Sequence, residues 1–163
     1  LADEDHAMLT GALKLEVETI AELMFPVAEA VCVPVTGTVA DVEAICHESG
    51  RSRLFVTRAE EIIGLVHVRD AVRASAAGGE QAPVTDLLQE AITLPASQPL
   101  IDAVQRMRAE RAQLALVADA GGQVVGLISL EDLLEQILGE FDDETDEPDP
   151  VAAPATRSAV ATA

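Results

Sequence analysis

Apolar positions recur along this chain with two periods, and the succession of periods occurs twice. Leu100, Ala103, Val104 and Met107 fall at i, i+3, i+4 and i+7, one face of a helix. Ser97 is placed as the N-cap of that helix, with Pro99 in its first turn. Val39, Val42 and Cys46 mark a matching face earlier in the chain, with Thr38 as its cap. Short apolar runs follow each helix, at residues 54–56 and 62–67 after the first and at 114–118 and 123–128 after the second. Their length and β-branched content predict paired strands, and Asp119-Ala120-Gly121-Gly122 is a turn signal within the second pair. Brief strands are predicted at 31–33 and 92–94, each preceded by a short helix, at 19–24 or 84–90. A final helix opens at Val68 or Leu130.

The correspondence extends to letters. Residues 20–34, IAELMFPVAEAVCVP, echo 84–95, VTDLLQEAITLP, and residues 38–56 echo 99–117. GLVHVRD at 64–70 echoes GLISLED at 126–132. Two copies of one unit explain this with the fewest assumptions. The predicted fold class is α/β in the α+β sense: two β-α-β-β-α repeats related by a pseudo-two-fold, with their sheets packed together. Residues 1–18 read as a leading helix and linker, with Ala7, Met8, Gly11, Ala12 and Leu15 as its apolar stripe. The first repeat spans 19–75, a small polar linker 76–82 and the second repeat 83–141. Residues 142–163, acidic and then rich in Ala and Pro, read as a disordered tail that cannot bury enough to order itself. Leu133, Leu134, Ile137 and Leu138 exceed what one face of a short helix needs. That surplus, with the segment 71–74, predicts apolar faces presented to a second chain, a homodimer.

Charge narrows the choice of partner. The net charge is -19, and residues before 140 already carry 22 acids against nine bases. Such a field repels nucleic acid, and no basic stripe interleaved with aromatics offsets it. The only aromatics are Phe25, Phe55 and Phe141, so the core is aliphatic. Cys32 and Cys46 sit in apolar patterns without a CxxC, as small core residues in a reducing compartment do. His6, His47 and His67 lack metal-ligand spacing, so no metal held by the protein alone is expected. No run approaches the length of a membrane span and no stretch reads as a signal peptide; the start at Leu1 suits a fragment of a longer protein. No G-x-S-x-G, P-loop or HExxH occurs, and the chain is not expected to be an enzyme.

GLISLED matches the G-h-h-S/T-x-x-D ending of a CBS repeat, and GLVHVRD is its weaker twin. The chain resembles a CBS pair, or Bateman module. EDHAMLTGALKLEVETIAELMFP, ESGRSRLFV and LEDLLEQILGEFDDETDE further resemble stretches of the hemolysin C / CorC / CNNM magnesium-cobalt transporter family. The resemblance implies a homodimeric module on the cytoplasmic side of the membrane, joined to an N-terminal transmembrane domain of the same chain. It implies binding of ATP or AMP, with Mg2+ accompanying the nucleotide, to control divalent-cation transport. A ligand-free dimerisation module, or a CBS pair from another host protein, are the alternatives.

Candidate site residues follow. Ser129 and Asp132 open the last helix, and a near capping box accounts for both on its own. The resemblance adds contact with ribose or phosphate at that helix N-terminus. It places Arg53 near the phosphates, with Ser52 beside it, and Val31 and Val33 on the strand whose backbone meets the adenine edge. The second, pseudo-equivalent site uses His67 and Asp70; there His67 replaces the hydroxyl and Leu114 replaces Arg53, so it reads as vestigial. Phe25 stands where the family usually has Thr and Phe55 where Pro is common; either ring fills the pocket or offers a stacking face.

Overall fold

The computed structural model describes residues 2–145. Helix α1 (Ala2–Val17) leads into a 3-10 turn (Ile20–Glu22), the two-residue strand β1 (Phe25–Pro26) and a second 3-10 turn (Val27–Glu29). The first repeat continues as β2 (Cys32–Pro34), α2 (Val39–Ser49), β3 (Arg53–Arg58), β4 (Glu61–His67) and α3 (Val68–Ala76). After a 3-10 turn (Val84–Leu87) the second runs through β5 (Ile92–Pro95), α4 (Leu100–Ala109), β6 (Leu114–Ala118), β7 (Val124–Ser129) and α5 (Leu130–Thr145). The short helices expected at 19–24 and 84–90 are thus single 3-10 turns. Helix α5 continues past the boundary at residue 141, and the remainder of the expected tail, 146–163, lies outside the described residues.

Each repeat builds the same sheet. β2 pairs parallel with β3, and β3 antiparallel with β4; β5, β6 and β7 repeat this order. The register shifts at Val56/Thr57 in one copy and at Val117/Ala118 in the other. Phe55, Leu65 and Leu116 are buried together between the two sheets, which seals the pair into one body.

The repeats exchange their leading segments, which the sequence does not reveal. β1 joins the second sheet, with Phe25 opposite Leu127 and Pro26 opposite Gly126. Ile20 is fully buried among Leu94, Leu100 and Ile128, the core of the second repeat. Reciprocally, Val84 is buried among Val33, Val39 and Val66, the core of the first. Backbone bonds match: Ile20 N–H donates to Gln98 O at 3.0 Å, and Val84 N–H to Gly37 O at 2.9 Å. Both crossings need a glycine. A Cβ on Gly126 would stand 2.7 Å from Phe25 O, and one on Gly64 2.5 Å from Gln89 O.

Capping explains most helix starts. Thr38 and Asp41 form a full capping box on α2. On α4 the N-cap position is Pro99, not Ser97, and no side chain caps it. The apolar surplus of α5 is largely internal: Leu133 is fully buried and Ile137 packs on the core, leaving Leu134 and Leu138 exposed. On α3, Ala71 is buried and Val72 exposed. Helix α1 lies along α5 and α4, yet Met8 and Ala12 of its expected stripe face outward, with Leu9, Leu13 and Val17. No helix among the described residues is long and apolar enough to cross a membrane.

Candidate functional site

A cavity of about 480 Å³ opens where the start of β3 meets the end of β7. That size suits a small organic ligand. Five stretches of chain line it, one of them Gln113 and Leu114 at the start of β6. Gly50 ends α2 in the left-handed conformation, φ 71°, with its N–H on Cys46 O at 2.9 Å. This turn sends Arg51, Ser52 and Arg53 along the cavity wall. β1 supplies Phe25, and the segment before β2 supplies Glu29 and Val31. The β7–α5 junction supplies Ser129, Glu131 and Asp132.

The structure therefore gathers Ser52, Arg53, Val31, Ser129 and Asp132 around one space. Val33 is not there: its side chain is fully buried in the core of the first repeat. Its backbone lies in the β2–β3 ladder, opposite Val56. Phe25 and Phe55 both line the cavity; Phe55 is buried and Phe25 is 43% exposed. Glu29, Arg51 and Glu131 were not singled out by the sequence reading. For two of them a signal existed, since Arg51 belongs to the Arg-Ser-Arg run and Glu131 adjoins Asp132.

Ser129 Oγ accepts the Asp132 N–H at 3.0 Å, so it caps α5 and keeps its own proton to donate. The Asp132 carboxylate has no side-chain partner among the described residues. Neither has the Arg53 guanidinium, although it is half-buried. Desolvation, and then the nearby Arg69 guanidinium, pull Arg53 below its usual value, without threatening its charge at neutral pH. A cation and an anion thus line one cavity without forming an ion pair.

The pseudo-equivalent position is arranged differently. His67 lies opposite Arg53 in the strand register, and its Nδ1 accepts the Arg69 N–H at 2.9 Å, capping α3. Burial, Arg53 and Arg69 hold the imidazole below its ordinary value, against a smaller opposing pull from Asp70. Asp70 accepts from Gln89 Nε2 at 3.2 Å and pairs with Arg73 at 3.5 Å. By the repeat, Gln89 corresponds to Phe25, Arg69 to Glu131 and Arg73 to Glu135. Asp70 is internally satisfied, whereas Asp132 has neither kind of partner among the described residues. Among the described residues no group of His, Cys, Asp and Glu is arranged to hold a metal ion by itself. Cys32 and Cys46 are free thiols whose burial raises their pKa.

Two tandem sheets with exchanged leading segments and a cleft at their junction define a paired-repeat module. The chain belongs to the CBS-domain family, whose model matches residues 20–77 and 84–139. It is 31% identical over 147 residues to a possible hemolysin C of Rickettsia akari, covering 88% of this chain and 48% of that one. It is 30% identical over 152 residues to a UPF0053 protein of Mycobacterium tuberculosis, covering 90% and 35%. The chain thus spans between a third and a half of these curated relatives. Among solved structures, it resembles the CBS domain of a bacterial CNNM/CorC family Mg2+ transporter in complex with ATP. The TM-score there is 0.76 at 25% identity, over 83% of this chain and 97% of the other.

Proposed function

We propose that the Arg53/Asp132 cavity binds one adenine nucleotide and that the module uses it to regulate a divalent-cation transporter. The observation that carries this is that Arg53 and Asp132 line one cavity, their side chains without a hydrogen-bond or ion-pair partner among the described residues. A nucleotide offers phosphate to the guanidinium and ribose hydroxyls to the carboxylate, so each group gains the partner the fold withholds. Ser129 and the N–H groups at the α5 N-terminus favour an anion at the same place. The likeness to the ATP-bound CBS domain of a Mg2+ transporter supports the ligand class and the regulatory role. In this reading the module is non-catalytic and lies beside a transmembrane domain on the cytoplasmic side. Exposed Val72, Leu134 and Leu138 serve a homodimer contact; light scattering of a monomer at tens of micromolar would count against that contact.

Charge sets the role of magnesium. Glu29, Glu131 and Asp132 line the cavity against Arg51 and Arg53, within a chain of net charge -19. A triphosphate enters against repulsion. Mg2+ on the phosphates cancels two charges and reaches these carboxylates directly or through its waters. AMP has less charge to neutralise. The test is calorimetry with ATP and AMP in EDTA and in millimolar Mg2+ at constant ionic strength. ATP affinity is expected to rise at least about tenfold with Mg2+, and AMP affinity to change by less than about threefold. Equal ATP affinity in both buffers removes the cation from the account, and absence of all binding removes the nucleotide.

A further inference from the structure

Phe25 is the feature of the cavity that capping and charge do not explain. It is one of three aromatic residues in a chain without Trp or Tyr, and it stays 43% exposed where Phe55 is buried. Its backbone is fixed by pairing with Leu127, which lines the same cavity. The strand can lie there because Gly126 carries no side chain to block Phe25 O. The backbone at Phe25 is therefore held in place and its side chain is half uncovered, in a cavity also lined by Val31 and Leu127.

The other copy of the repeat shows what this position does when it is polar. Gln89 occupies the equivalent place, and its amide donates to Asp70. A phenyl ring cannot donate such a bond, so it leaves the corresponding carboxylate, Asp132, open. It also offers what Gln89 lacks, a flat apolar face in a cavity that has Arg53 and Asp132 in its walls.

We propose that Phe25 is the residue that reads the nucleobase: its ring stacks on the base of a nucleotide held by Arg53 and Asp132. The proposal rests on the nucleotide reading above and adds that the base is recognised as well as the phosphate chain. Stacking of a base on an aromatic side chain is strong enough to measure by substitution.

The experiment compares ATP with inorganic tripolyphosphate, both in millimolar Mg2+, on the whole chain and on Phe25→Leu and Phe25→Trp. Phe25→Leu keeps an apolar residue at a half-exposed position, and melting curves check that it folds. Its ATP affinity is expected to fall at least about fivefold, or ~1 kcal/mol, with tripolyphosphate affinity unchanged within about twofold. Because the chain has no other Trp or Tyr, the emission of Phe25→Trp reports this position alone. ATP is expected to change that emission saturably, and tripolyphosphate to leave it unaltered. Equal losses for the two ligands in Phe25→Leu would overturn the proposal, since the ring would then only shape the cavity. ATP binding to Phe25→Leu within about twofold of the parent, with unresponsive emission from Phe25→Trp, would overturn it while the nucleotide reading stands. Failure of the unaltered chain to bind ATP would remove both.

Discussion

Ser129 and Asp132 each have two employments, and substitution can separate them. Ser129→Ala removes the cap on the Asp132 N–H and costs about 0.5–2 kcal/mol of stability. If the hydroxyl and carboxylate also hold ligand, Ser129→Ala and Asp132→Ala each weaken ATP binding by about tenfold or more, while Asp70→Ala changes it by less than about twofold. Calorimetry and melting curves run side by side distinguish the two losses; equal loss at Asp70 and Asp132 contradicts the single-site assignment. His67 supplies a pH readout. Its imidazole accepts the Arg69 N–H, and its folded pKa lies below the ordinary 6.5. The unfolded chain therefore binds the extra proton first as pH falls. The stability tied to neutral His67 is present above pH 6.5 and is lost as pH drops through the lower folded value. Urea midpoints measured between pH 7.5 and 5 are expected to fall more for the parent than for His67→Asn, which keeps a capping acceptor without the titration. Several residues that line the candidate cavity were legible in the sequence because a signature and a run carry them: Ser129 and Asp132 in GLISLED, Arg53 in ESGRSR. Val33, named for its backbone, does not line the cavity: that backbone is paired with β3 opposite Val56, and its side chain lies in the core.

At the scale of elements, the two glycines of the repeat signature admit the exchanged segments. Gly126 admits β1 and hence Phe25, whereas Gly64 admits the segment bearing Gln89. The obstructing atoms include backbone oxygens, which cannot swing aside. Gly126→Ala and Gly64→Ala are each expected to cost about 1–3 kcal/mol, the range for overpacking. Only Gly126→Ala is expected to weaken nucleotide binding as well, and denaturant melts paired with ATP titration check this; equal effects on affinity would contradict the placement of the site. Helices, hairpins and the repeat itself were readable because burial imposes a period on them. β1 was not, being two residues long, and the exchange was not, since a repeat along the chain does not say which copy a segment packs against. Ser97 failed as a cap because the chain reaches α4 through an extended Pro99, whose position as N-cap leaves Ser97 too early.

The whole molecule carries one architecture twice, with different surroundings for the two equivalent carboxylates, Asp70 and Asp132. In one copy Gln89 and Arg73 take up Asp70, and His67 caps its own helix. In the other, Phe25 and Glu135 stand in those places, and the side chains of Asp132 and Arg53 are left without partners among the described residues. Differences at a handful of positions between the two copies are enough to leave one carboxylate partnered and the other without a side-chain partner among the described residues. Under the proposed function, the acidic residues around the Arg53/Asp132 cavity make a bound polyphosphate dependent on a counter-cation, and linkage would then make nucleotide and Mg2+ raise each other's apparent affinity by the same factor. Backbone amide shifts followed during titration with Mg2+ and ATP test this asymmetry most directly. The account predicts large perturbations at Gly50–Arg53 and Ser129–Asp132, saturating at one ATP per chain, with His67–Asp70 far less affected. Comparable perturbation at both places, or saturation at two ATP per chain, would contradict it.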